Sequence, residues 1–200
     1  MTTKYGFSDV RDQLIKDLKG AYPTTWEDYQ SAMVLGEDTF GSPKPHPNAV
    51  LNLFKAQKVK FAIPFAAYRA SIGGFQALMS DKPGTVLPRR ILATVIYGMH
   101  ILQSMAVHAA RMVAYRGDLW VCGDGACVLR VDTSPINARM EAVGKIYDAM
   151  IDQSKDGVFS TPRLEHLLCQ ECAKRVAVIH TGYSSACWER LGLMFNVSDG

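Results

Sequence analysis

The stretch Arg89-Arg-Ile-Leu-Ala-Thr-Val-Ile-Tyr-Gly-Met-His-Ile-Leu-Gln-Ser-Met-Ala-Val-His-Ala-Ala-Arg-Met-Val-Ala-Tyr115 decides the fold. Leu92, Val95, Met99, Leu102, Ala106, Ala109 and Val113 recur in steps of three and four, the seam of a helix packed against other helices. Ile91, Ile96, Ile101 and Met105 widen the apolar surface beyond a two-stranded seam, so the spacing predicts a central core helix. Its alanines allow a neighbouring helix to come close. Pro88 suits the opening and Gly117 the end. A bilayer span needs about 20 nearly unbroken apolar residues. Here His100, Gln103, His108 and Arg111 interrupt the run, which reads as a buried helix of a soluble protein.

Outward from this helix the pattern stays helical. On the C-terminal side, Ser134-Pro135 caps a helix whose seam is Ile136, Met140, Val143, Tyr147 and Met150. Ser160-Thr-Pro162 predicts another, carrying Leu164, Leu167 and Leu168, and a last helix runs from about Glu171 towards Met194. On the N-terminal side, Ser8 caps a helix over about Asp9 to Lys19 with Val10, Leu14, Ile15 and Leu18 on one stripe. Thr24 and Glu27 form a capping box for a second helix through Leu35.

Pro43, Pro45 and Pro47 force extended structure before a helix over about Asn48 to Gln57, and His46 between two prolines reads as a loop residue. Phe61 to Met79 is helical with a break or close crossing at Pro64 or Gly73-Gly74, and Pro83-Gly84 is a turn. Strand signal is confined to Leu119–Val121 and Val128–Val131, the shape of a short hairpin. The expected fold is mainly α, a multi-helix bundle with a short β-hairpin and a four-cysteine zinc site. Residues 1–36 form a separate helical segment ahead of a bundle over 37–200.

Bulk composition excludes more than it selects. At 48% hydrophobic and 20% charged the chain is of ordinary globular type. A net charge of +3 is too mild to mark a nucleic-acid binder. The N-terminal residues lack the charged and apolar regions of a signal peptide, so the expected location is the cytoplasm or nucleus. In such a reducing compartment paired cysteines point to metal more often than to disulfides.

Four of the five cysteines fall into two close pairs, Cys122-Gly-Asp-Gly-Ala-Cys127 and Cys169-Gln-Glu-Cys172. Tetrahedral zinc with Zn–S near 2.3 Å needs sulfurs about 3.8 Å apart, arriving as two pairs from different directions. Gly123 and Gly125 give the first turn its freedom. The second pair sits at a predicted helix N-terminus, where N–H groups and the dipole favour thiolates. Buried free cysteines and redox or disulfide chemistry are the alternatives, and no βαβ context supports a thioredoxin-like reading. His166 and Cys187 are the residues able to replace a ligand; they read more simply as a helix-surface histidine and a small core residue. Four thiolates leave no position open for substrate, so the expected zinc is structural.

No G-x-S-x-G, H-E-x-x-H or P-loop occurs, and no catalytic set is apparent. His100 and His108 lie roughly 80° apart around a helix and make no metal pair. Arg89, Arg90, Lys55, Lys58 and Lys60 read as solvated helix faces before they read as a basic patch.

Taken together, several stretches resemble a group of BTB/POZ proteins of mushroom-forming fungi, in which a BTB domain precedes a helical, cysteine-containing region. They are Lys4–Arg11, Phe40–Phe54, Phe61–Arg69, Asp81–Arg89 and both cysteine pairs, spanning about Thr2 to Trp188. The first segment looks like the helix pair that closes a BTB domain. The resemblance implies a protein-interaction role, since BTB proteins commonly self-associate and many serve as ubiquitin-ligase adaptors or nuclear regulators. The BTB domain itself is missing from the pattern, so the sequence reads either as a piece of such a protein or as a short product.

The leading functional expectation is therefore a non-catalytic, zinc-stabilised module that binds a protein partner. A nucleic-acid-binding zinc protein is the alternative and requires the basic residues to share one face. An enzyme would need groups such as His108, Arg111 and Asp118 to converge in a pocket.

Overall fold

A computed structural model of the chain describes residues 8–35, 45–114, 122, 127, 136–153, 158–160 and 162–195. These residues are mostly helical and include no strand. The expected hairpin flanks lie outside them, as does the expected boundary after residue 36; Cys122 alone makes an isolated bridge pairing. Two compact units are present, residues 1–99 with 188–200, and residues 100–187.

The first unit begins with α1 (Ser8–Ala21) and α2 (Trp26–Leu35). Leu14 of α1 is exposed and Leu18 half-buried, so the predicted stripe is only partly covered. Burial is supplied by aromatic residues instead. Tyr22 lies edge-on to Phe54 at 4.6 Å between ring centres, and Tyr29 meets Trp188 at 4.8 Å. Phe65 packs on Trp188 at 5.4 Å, and the Trp188 ring N–H donates to the Thr24 carbonyl at 3.4 Å. The cap of α2 differs from the expected one. The Asp28 N–H donates to the Thr25 hydroxyl at 3.1 Å, one residue later than the Thr24–Glu27 box, because Trp26 takes the first helical position.

Next come α3 (Pro47–Ala56), a single 3-10 turn (Lys60–Ala62), α4 (Ile63–Ile72) and α5 (Gly74–Leu78). His46 is no mere loop residue: its Nδ1 accepts from the Asn48 N–H at 3.2 Å and caps α3. The helix ends in a Schellman arrangement around Lys58 at φ 56°, with Val59 N–H donating to the Phe54 carbonyl at 2.9 Å. Pro64 opens α4 rather than breaking it, and the break falls at Gly73-Gly74. Pro83 and Gly84 form the predicted turn, with Gly84 at φ 79° and the Thr85 N–H bonded to the Lys82 carbonyl at 3.0 Å.

Asn48 ties α3 to the end of α5. It is 1% exposed, and its Nδ2 donates to the carbonyls of Ala77 at 3.1 Å and Leu78 at 3.3 Å. Asn48→Ala orphans both bonds and is expected to cost about 2 kcal/mol in chemical denaturation. Asn48→Asp should cost more, because it turns an acceptor toward two carbonyl oxygens. An aspartate variant as stable as the alanine one would show that the amide is not the tie.

The predicted central helix is α6 (Arg89–Ala114), which contributes to both units. Val95, Leu102, Ala106, Ala109 and Val113 are buried as the seam requires, while Leu92 and Met99 are half-buried. By length and composition this helix alone among the described residues can cross a membrane. Tyr97, His100, Ser104, His108 and Arg111 are exposed along the face opposite the seam, so the helix is packed on one side only. Gly98 lies on the buried side, where the Phe195 ring sits directly on its backbone. The short α9 (Leu191–Met194) leads into Phe195 and packs against α4.

The second unit holds the rest of α6, α7 (Ile136–Gln153) and most of α8 (Gln170–Glu189). Its core joins Ala110, Val113, Ile146, Met150, Leu164, Leu168 and Val176 to Cys122, Cys127 and Cys172. Met140, placed on the α7 seam, is 61% exposed, and Ile146 is buried with Val143 and Met150. The helix expected after Pro162 is only a single turn, closed by Leu168 N–H to the Leu164 carbonyl at 2.8 Å. That turn buries Leu164 and Leu168 and stops where α8 must begin.

His180 of α8 is also buried, with Nδ1 3.4 Å from the Ser184 hydroxyl and a further hydrogen bond to the Val158 backbone. Burial disfavours its charged form and holds its pKa below 6.5. The unfolded chain then binds the extra proton, so the contribution is whole above about pH 6.5 and is lost as pH falls towards the folded value. An NMR titration of the ring should give a midpoint below 6.5; a midpoint at or above it contradicts this account.

Candidate metal centre

The local chain accounts for the position of Cys169. It stands immediately before α8, and its carbonyl accepts the Ala173 N–H at 2.9 Å. Its sulfur accepts the backbone N–H of Cys172, as a helix cap does. Cys172 follows within the first turn and points into the core, 3% exposed. Thus the pair spacing and the helix start together aim two sulfurs at one point.

Cys122 and Cys127 complete the group. They are 9% and 4% exposed, and the Cys122 sulfur lies 3.5 Å from that of Cys169. All four sulfurs fall within 4.8 Å of one another. The tetrahedral requirement is about 3.8 Å, so the cluster needs only small side-chain adjustments to surround one ion. All five cysteines are free thiols. The four predicted residues are therefore brought together, and they can hold a metal ion.

The two possible substitutes stand apart from this group. His166 is exposed, and Cys187 lies fifteen residues beyond Cys172 on the same helix, about 22 Å along its axis. Cys187 is fully buried, as a small core residue should be. His108 and Arg111 are exposed on α6, where His108 lies 5.9 Å from the ring of Tyr183, and Asp118 is outside the described residues.

Electrostatics divide the sulfurs. The Cys172 N–H and then the Cys122 thiol stabilise the Cys169 thiolate and bring its pKa down to about 7. Burial, followed by the neighbouring sulfurs, pushes Cys172 up. Without an ion, Cys169 rather than Cys172 thus takes the negative charge of its pair, at the helix N-terminus. A divalent cation among the sulfurs inverts this preference, since coordination deprotonates a thiol outright.

Comparison of the chain with known protein families, curated proteins and solved structures finds no match. The chemistry of the site must be read from its own atoms. Four sulfur donors are soft, and the set suits zinc or another thiophilic metal far better than magnesium or calcium. Sequence reasoning missed the His180–Ser184 pair and the capping role of His46. Neither has a local sequence signal: the first depends on burial of that helix face, and the second on a side chain folding back over its own helix.

Proposed function

We propose that the chain is a non-catalytic, zinc-stabilised protein-interaction module, the partner-binding part of a BTB-type adaptor or regulator acting in the cytoplasm or nucleus. The observation that carries this reading is the closed set of four sulfurs within 4.8 Å. Cys122, Cys127, Cys169 and Cys172 would hold the ion, and a four-thiolate shell keeps no position for water or substrate. When bound, zinc supplies cross-linking and folding energy rather than a Lewis acid.

The surroundings support a structural role. Three of the four cysteines belong to the same apolar core as Ile146, Met150 and Leu164. Catalytic metals sit where substrate can reach them. The partner-binding half of the reading rests on the resemblance of both cysteine pairs and the Phe40–Phe54 and Phe61–Arg69 stretches to BTB-associated regions.

Cross-linking of zinc-loaded protein beside metal-stripped protein, followed by identification of neighbours, tests the reading. It expects protein partners that are retained by the loaded form and lost on stripping. Salt-sensitive retention of DNA or RNA with no protein partner would favour the nucleic-acid alternative.

A further inference from the structure

The four sulfurs are unequal in a way that a purely structural site does not require. Cys127 and Cys172 are 4% and 3% exposed, whereas Cys122, at 9%, and the half-buried Cys169 at the start of α8 are less covered. The two less covered residues, one from each pair, are also in contact, sulfur to sulfur, at 3.5 Å. A disulfide needs about 2.05 Å between sulfurs, so an approach of roughly 1.5 Å separates contact from bond.

We propose that Cys169 is an oxidation site and Cys122 its resolving partner, so that hydroperoxides convert the pair to a disulfide and expel the metal. The inference rests on the metal-site reading above and assigns that site a regulation. In the first step the Cys169 sulfur attacks one oxygen of the hydroperoxide. The O–O bond breaks, an S–O bond forms, and the remaining oxygen leaves protonated as alcohol or water. In the second step the Cys122 sulfur attacks the Cys169 sulfenic acid. The S–S bond forms and the hydroxyl leaves as water. Two thiolates lose two electrons, the peroxide gains them, and two protons are consumed.

Loss of two of four thiolates removes half the coordination shell, so the ion departs. The oxidised chain is still tied across α7, because residues 122 and 169 flank that helix in sequence. Reduction restores both thiolates and hence the site. Burial keeps Cys127, Cys172 and Cys187 out of the first step.

The test uses the full chain loaded with zinc, with bound zinc counted before hydrogen peroxide is added. Zinc release is then followed with a chelating dye, and the cysteine linkages are mapped by peptide mass spectrometry. The expected result is loss of the bound zinc, a fall of two in the thiol count, and a Cys122–Cys169 linked peptide. Dithiothreitol with fresh zinc should reverse all three. Retention of zinc under peroxide that fully oxidises free cysteine in the same buffer would overturn the proposal and leave the metal reading intact. Linkage of any other pair would overturn it equally. A chain that takes up no zinc at the first count would overturn both.

Discussion

Stripping zinc from the chain is expected to lower its thermal midpoint by roughly 15–30 °C, with the loss centred on residues 100–187. The magnitude follows from mass action. A ligand present at about a thousand times its dissociation constant contributes about 4 kcal/mol to the state that binds it. For a unit of under 100 residues, each kcal/mol is worth about 4–8 °C. The loss is local because the cysteines are embedded in the core of that unit: without the ion, Cys122 and Cys127 lose their tie to Cys169 and Cys172 in the core they share with Ala110, Val113 and Met150.

Cys169→Ser and Cys172→Ser should reproduce the effect even with zinc in excess. Cys187→Ser should keep the metal, since its sulfur is remote from the other four, and should show only the modest cost of altering a buried side chain. A midpoint that chelation leaves unchanged would mean that the four sulfurs cluster for packing alone.

Phe195→Ala is expected to be the most damaging single truncation in the first unit, costing about 3–5 kcal/mol. Phe195 is 1% exposed, and its ring lies against the backbone of Gly98. A methyl group at Gly98 would overlap the ring, with even the ring Cζ only 2.8 Å away. The same geometry makes Gly98→Ala destabilising by about 1–3 kcal/mol through overpacking, although alanine is by about 1 kcal/mol the better helix former.

The two effects are coupled, which separates contact from propensity. In a Phe195→Ala background, Gly98→Ala should become neutral or stabilising by up to about 1 kcal/mol, as in any helix without the ring. Simple additivity across this double-mutant cycle, measured by denaturant unfolding, would show that the ring does not rest on the glycine in solution.

The clustering of the four cysteines was legible from spacing because so few residues between two cysteines keep both sulfurs close, whatever the rest of the chain does. The long helix α6 was legible for a similar local reason: its buried positions 95, 102, 106, 109 and 113 obey one period over five turns. In α7 two adjacent apolar rows compete, one through Met140 and one through Ile146. Only tertiary packing chooses the second. The spacing of Leu164, Leu167 and Leu168 predicts a helix where there is a single turn, because three leucines within five residues read the same in either. Trp188, Tyr29 and Phe65 form a cluster from three distant segments, and no local pattern could announce it.

Elemental analysis of the purified chain, paired with a thiol count before and after chelation, shows whether the four sulfurs hold an ion. About one zinc per chain is expected, with the four ligand thiols unreactive until a chelator removes the ion. Zinc below about a tenth of an equivalent, with Cys169 reacting at once in native buffer, would contradict that expectation.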